Sequence, residues 1–164
     1  VKCYCVTWRN DDSYVGNDHW YPTEEERRAH AIQFVKAGSI QGYLAYHGDE
    51  IVGWCNATGN CLRGVNYLRA YWPIEESHEN IRVKSIFCFM IAPNMQRQGI
   101  ATQLTERICN DAAADGFEFV EAYAYKESGG SDHEFGGPLA MYEKCGFYQC
   151  GERDGRVVMR KALK

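Results

Sequence analysis

The segment Ile91-Ala-Pro-Asn-Met-Gln96-Arg97-Gln98-Gly99-Ile100-Ala101 concentrates the chemistry that this sequence offers, because it falls where an apolar strand run gives way to a helical one. The first amides of a helix have no carbonyl to bond, and the helix dipole adds positive potential, so such a turn attracts anions. Gly99 and Ala101 carry no branched side chain to hold a phosphate away from the main chain. An ordinary strand-to-helix turn uses glycine too, so a second feature has to decide. One lies downstream in Met141-Tyr142-Glu143-Lys144-Cys145-Gly146-Phe147, a helix end feeding a strand. A third feature is Cys3-x-Cys5, whose thiols would share one face of a strand about 7 Å apart. The pair suits a thiol beside a substrate, a soft metal or a core. Tetrahedral zinc needs about four ligands, and no C-x-x-C or H-x-x-x-H pattern completes the set, so the core reading ranks first and no metal is expected.

The elements that must position these residues follow from periodicity. Val1 to Trp8 alternates as a half-buried strand. Pro22-Thr23-Glu24-Glu25-Glu26 opens a helix with a capping box, and Gly38 ends it. Tyr43–Tyr46 and Ile51–Ala57 form a hairpin about His47-Gly48-Asp49-Glu50. Thr58–Arg82 is a long polar connection whose Arg63, Arg69, Trp72 and His78 either frame a substrate or are solvated. Ser85–Ile91 reads as a central strand, Gln98–Asp115 as an amphipathic helix capped by Gly116, and Phe117–Tyr125 as the next strand. A Gly- and charge-rich loop, a short helix from Pro138 to Cys145, and a hairpin of Phe147–Cys150 with Arg156–Ala162 complete the chain. Strands before, between and after helices imply a mixed sheet flanked by helices.

Composition bounds the function. One domain over residues 1–164 fits the length, and 45% hydrophobic residues exclude a disordered chain. The longest apolar run, Ile86–Ala92, is far short of the roughly 18 to 20 residues that span a bilayer. A formal charge of −4 lacks the field that duplex nucleic acid demands, so neither membrane nor nucleic acid is an expected partner. Cys55, Cys88, Cys109 and Cys145 lie within apolar or helical patterns, where a reduced thiol behaves as a small hydrophobe. With no basic stretch leading into an apolar one near Val1, a cytoplasmic protein is expected.

Taken in order, Gln96, Gly99 and Ala101 match Q/R-x-x-G-x-G/A, and Tyr142, Gly146 and Phe147 match Y-x-x-x-G-F. Together these motifs resemble the GNAT superfamily of acyl-CoA-dependent N-acetyltransferases, over roughly Tyr43 to Leu163. The resemblance implies an α/β (α+β) GNAT-like fold with a splayed, mixed sheet of about six or seven strands. Acetyl-CoA would lie between the strand ending at Ile91 and the one starting at Phe117. Its pyrophosphate would rest on the amides of Gln96, Arg97, Gln98, Gly99, Ile100, Ala101 and Thr102. Its pantetheine arm would pair with main-chain groups of Phe89, Met90 and Ile91.

The same resemblance implies direct attack by an amine on the thioester, with a backbone amide near Ile91 polarising the carbonyl. Tyr142 falls at the family's general acid, a role that suits a phenol still protonated at neutral pH. Phe135 occupies a position where many members carry Asn. No acid lies between Ser85 and Ile91, so Glu121, Asp132, His133 and Glu134 are the candidate bases, His133 being the one that titrates near neutrality. The acceptor, whether small amine, peptide or protein lysine, is left open, as is the oligomeric state, a homodimer included. The alternative to an enzyme is a non-catalytic acyl-CoA-binding sensor or interaction module of the same fold.

Overall fold

The apolar run of Ser85–Ile91 becomes β3 (Val83–Ile91), a strand covered on both faces. The computed structural model describes residue 6 and residues 23–59, 81–126, 135–153 and 155–163. Among these, six strands make one sheet in the order β1-β2-β3-β4-β6-β5. β1 (Gly42–His47) and β2 (Glu50–Gly59) form the expected hairpin, turning at Gly48 with φ 60°. β2 runs antiparallel to β3, and β3 runs parallel to β4 (Phe119–Tyr125). Parallel neighbours need a crossover. It is supplied by the helix α2 (Ile100–Ala114), α1 (Glu24–Lys36) being the first helix in the chain. A short helix, α3 (Leu139–Lys144), leads into the antiparallel pair β5 (Tyr148–Arg153) and β6 (Arg156–Ala162), with β6 against β4.

The apolar stripe of α2 dictates the core. Leu104, Ile108, Cys109 and Ala112 are buried against Ile86 and Phe89 of β3, Val120 and Ala122 of β4, and Val157 and Met159 of β6. Glycines at positive φ, Gly116 after α2 and Gly146 after α3, stop both helices where the sequence places their ends. α1 forms through its own terminus, since Thr23 and Glu26 close the capping box reciprocally, yet none of its residues is buried. β4 begins two residues later than expected because Phe117 turns into the core. The Arg82 guanidinium stacks 4.6 Å over its ring, and the Arg82 carbonyl takes the amides of Glu118 and Phe119. The expected opening strand, with Cys3 and Cys5, and the stretch carrying Arg63, Arg69, Trp72 and His78 lie outside the described residues, Val6 apart, which is buried.

On the sheet face away from α2 and α3, register aligns a polar row: Thr58 opposite Ser85, Ser85 opposite Glu121, and Glu121 opposite Arg160. Arg160 is 1% exposed and Glu121 4%. Arg160 Nε donates to Glu121 Oε2 at 2.9 Å, and Tyr123 Oη donates to Glu121 Oε1 at 2.7 Å. A charge this deep is tolerable only when paired and hydrogen-bonded. Glu121→Gln should therefore lower stability by about 3–5 kcal/mol in urea unfolding, by leaving Arg160 buried without its counter-charge. The double change Glu121→Leu with Arg160→Met should recover most of that loss. A Glu121→Gln protein as stable as the parent would contradict this account.

Candidate active site

The pairing of β3 with β4 runs from Val83–Phe119 to Ile86–Ala122 and goes no further. The cause lies on the other side of β3. Asn56 of β2 faces Cys88 and Ala57 faces Ile86, so Phe87 is an extra, bulged residue. A bulge bends and twists its strand, and here it swings the end of β3 away from β4. Antiparallel alternation then determines which main-chain groups face the split. The Ala92 amide bonds Val52 O, which makes Ile91–Gly53 a non-hydrogen-bonded pair. Ile91 and Phe89 thus turn their amides and carbonyls toward β4, while Met90, opposite Trp54, turns its own toward β2. Of the three residues expected along a pantetheine arm, Phe89 and Ile91 present main-chain groups to the split and Met90 does not.

At the mouth of the split the chain passes through a 3-10 turn (Pro93–Met95) and enters α2. Arg97 stands at φ 62° and Gly99, the N-cap, at φ 83° with no side-chain cap. The first helical bond is Gln103 N to Gly99 O. Among the described residues, the amides of Arg97 to Thr102 donate to no backbone carbonyl. A Cβ on Gly99 would meet nothing closer than Gln103 Nε2 at 3.9 Å, so the backbone at Gly99 itself is not crowded. Gln96 is the exception in the expected set, since its amide bonds Pro93 O and its side chain reaches Ile91 O, both at 3.4 Å.

At the inner end stands Tyr142, fully buried, its ring tilted against Phe89 and Phe147. Its hydroxyl donates to Gly136 O at 2.7 Å. Burial pushes this phenol well above its ordinary pKa of 10, and the neighbouring Cys55, Cys88, Cys145 and Cys109 push the same way, so the proton stays on oxygen. Residues just before α3 enter the split from β4. Phe89 N donates to Phe135 O at 2.7 Å, and Pro138 bridges to Tyr125. The Gly136-Gly137-Pro138 run was the sequence signal for such a close approach. Glu121 lies on the closed side of the split, its carboxylate committed to Arg160 and Tyr123. Asp132, His133 and Glu134 fall outside the described residues.

The sheet thus splits beside a helix start whose first amides have no backbone partner, with a buried phenol at the inner end. The chain belongs to the acetyltransferase (GNAT) family, whose model matches residues 4–147, and it is accordingly an acyltransferase. That match reaches further toward the N-terminus than the motifs alone. No curated protein sequence matches the chain. Solved structures share the fold at low identity. An acetyltransferase of the GNAT family from Streptococcus pneumoniae superposes with TM-score 0.56 at 17% identity, covering 87% of this chain and 77% of its own. The ribosomal-protein-S18-alanine N-acetyltransferase of Escherichia coli gives 0.54 at 13%, covering 89% and 81%. YncA of Salmonella typhimurium, solved with its cofactor acetyl-CoA, gives 0.53 at 12%, covering 87% and 75%. Among the described residues, no three His, Cys, Asp or Glu side chains are grouped to hold a metal, and no helix is long and apolar enough to cross a membrane.

Cys55, Cys88, Cys109 and Cys145 are buried free thiols, as their apolar settings predict. Burial pushes Cys55 and Cys145 up, and carries Cys109 to about 11. The thiolate is the reactive form, so at pH 8 about one Cys109 in a thousand is reactive, a fraction that grows tenfold per pH unit. Iodoacetamide at pH 8 should leave Cys55, Cys109 and Cys145 unmodified in native protein and label all three after urea unfolding, as read by peptide mass mapping. Rapid labelling of any of them in the native protein would contradict its burial.

Proposed function

We propose that this acyltransferase moves an acetyl group from acetyl-CoA to a primary amine by direct attack. What carries the reading is the row of free amides from Arg97 to Thr102 at the mouth of a split whose inner end holds Tyr142. The absence of a side chain at Gly99, where even a Cβ would meet nothing closer than Gln103 Nε2 at 3.9 Å, supports close approach of a diphosphate to these amides. When bound, acetyl-CoA supplies the activated thioester carbon. The amides of Arg97 to Thr102 hold the anionic end through charge-assisted bonds and the dipole of α2. Ile91, whose N–H has no partner among the described residues, aligns the arm, and its amide, joined by that of Phe89 once Phe135 O has released it, faces the reacting carbonyl.

Tyr142 is the general acid in this scheme. As the amine nitrogen bonds the acyl carbon and the carbon–sulfur bond breaks, the phenol gives its proton to the departing thiolate, and the surplus amine proton passes to a base or to water. We assign Glu121 to holding the sheet, because both of its carboxylate oxygens are already taken, one by Arg160 and one by Tyr123. His133 is kept as a candidate base, acting directly or through water, with solvent alone as the alternative acceptor. The acceptor is a small amine, a peptide or a protein lysine. A cytoplasmic location suits reduced, buried thiols and a CoA thioester as co-substrate.

Gly99→Glu should weaken acetyl-CoA binding by roughly 100-fold or more, about 3 kcal/mol, by placing bulk and like charge over the cradle. Gly99→Ala controls for the strain of a side chain at positive φ. Calorimetry finding unchanged affinity in folded Gly99→Glu protein would remove the phosphate from this turn. Tyr142→Phe keeps the ring and removes the proton, so turnover in a thiol-release assay should fall on the order of 10²- to 10⁴-fold without loss of acetyl-CoA affinity. Full turnover with chemistry rate-limiting would leave Tyr142 a packing residue.

A further inference from the structure

Successive carbonyls of one segment hold the two groups that the proposed chemistry needs. Phe135 O accepts the Phe89 amide at 2.7 Å, and Gly136 O accepts the Tyr142 hydroxyl at 2.7 Å. The segment fills the split from side to side. A Cβ on Gly136 would overlap the Tyr123 carbonyl oxygen of β4, and the position for one on Gly137 is 3.3 Å from the Phe89 ring of β3. Pro138 then bridges to Tyr125. With Tyr142 fully buried beneath it, nothing entering from the Ile91 end reaches the phenol while the segment stays in place.

We propose that Phe135–Pro138 is a strap built into the fold, which occupies the inner split and must withdraw before a thioester can meet Phe89 N–H and Tyr142 O–H. The inference rests on the acetyl-CoA reading given above. Each tie is an ordinary hydrogen bond that an incoming carbonyl or sulfur can replace, and two adjacent glycines, Gly137 at φ 84°, give the segment conformations closed to other residues. Opening is a unimolecular step that precedes productive binding, and the closed population lowers apparent affinity by the open fraction.

Stopped-flow tryptophan fluorescence with acetyl-CoA in excess tests this. The observed rate should level off with rising acetyl-CoA at the opening rate of the strap. Gly136→Ala, which cannot seat against Tyr123, should raise the plateau and tighten binding by roughly three- to tenfold in calorimetry. Tyr142→Phe cuts the tie to Gly136 O without added volume and should move both readings the same way, which guards against a Gly136→Ala chain that fails to fold. A rate linear in acetyl-CoA, or a plateau and affinity unmoved or lowered in the folded variants, would overturn the strap while leaving acetyl-CoA as the ligand. No binding at any concentration would instead overturn the acetyl-CoA reading, and the strap with it.

Discussion

Buried amides and carbonyls must find partners, and the bulge at Phe87 leaves those of Phe89 and Ile91 facing a split with no strand to meet them. Much of the molecule follows from that one deficit. Phe135 O answers the Phe89 amide, which draws the segment before α3 into the sheet and seats Tyr142 beneath it. Ile91 stays available at the mouth. There the chain turns directly into α2, whose own first amides are also unpaired. Two sets of unmet donors, one from a broken ladder and one from a helix start, therefore converge on a single opening.

The closed half of the sheet lets the open half exist. Below Ile86 and Ala122 the strands are locked by continuous pairing and by the buried ion pair of Glu121 with Arg160, which crosses from β4 to β6. Phe87 and Tyr123 stack with centroids 5.4 Å apart and tie β3 to β4 on the face of that pair. On the opposite face α2 packs its apolar stripe across β3, β4 and β6. A rigid base of this kind confines the opening to the end of β3 beyond Ile86.

Much of this was legible in the residues. Glycines at 38, 48, 116 and 146 ended elements where positive φ was needed, and the three- and four-residue spacing from Ile100 to Ala112 announced α2 and its buried face. The motif at Gln96–Ala101 marked the turn whose amides are left unpaired because helix-start geometry is local. What was misread depended on partners far along the chain. Met90 was placed with Phe89 and Ile91 along the pantetheine arm, since the direction in which a strand residue turns its amide depends on register with β2. Glu121 stood among the candidate bases because Arg160, 39 residues on, becomes its partner only when β4 and β6 align.

By itself, then, the sequence determined the order and type of the elements, the family motifs and the chemical character of the helix start, all of which rest on contacts within a few residues. Only the tertiary structure decided that Phe87 is bulged, that the split opens beyond Ile86, that the carbonyls of Phe135 and Gly136 stand inside it, and that Glu121 is spent on Arg160. Those outcomes belong to strand register and to close approach between distant backbones. A one-residue shift in pairing reverses which groups face the split, and no local pattern of side chains encodes that choice.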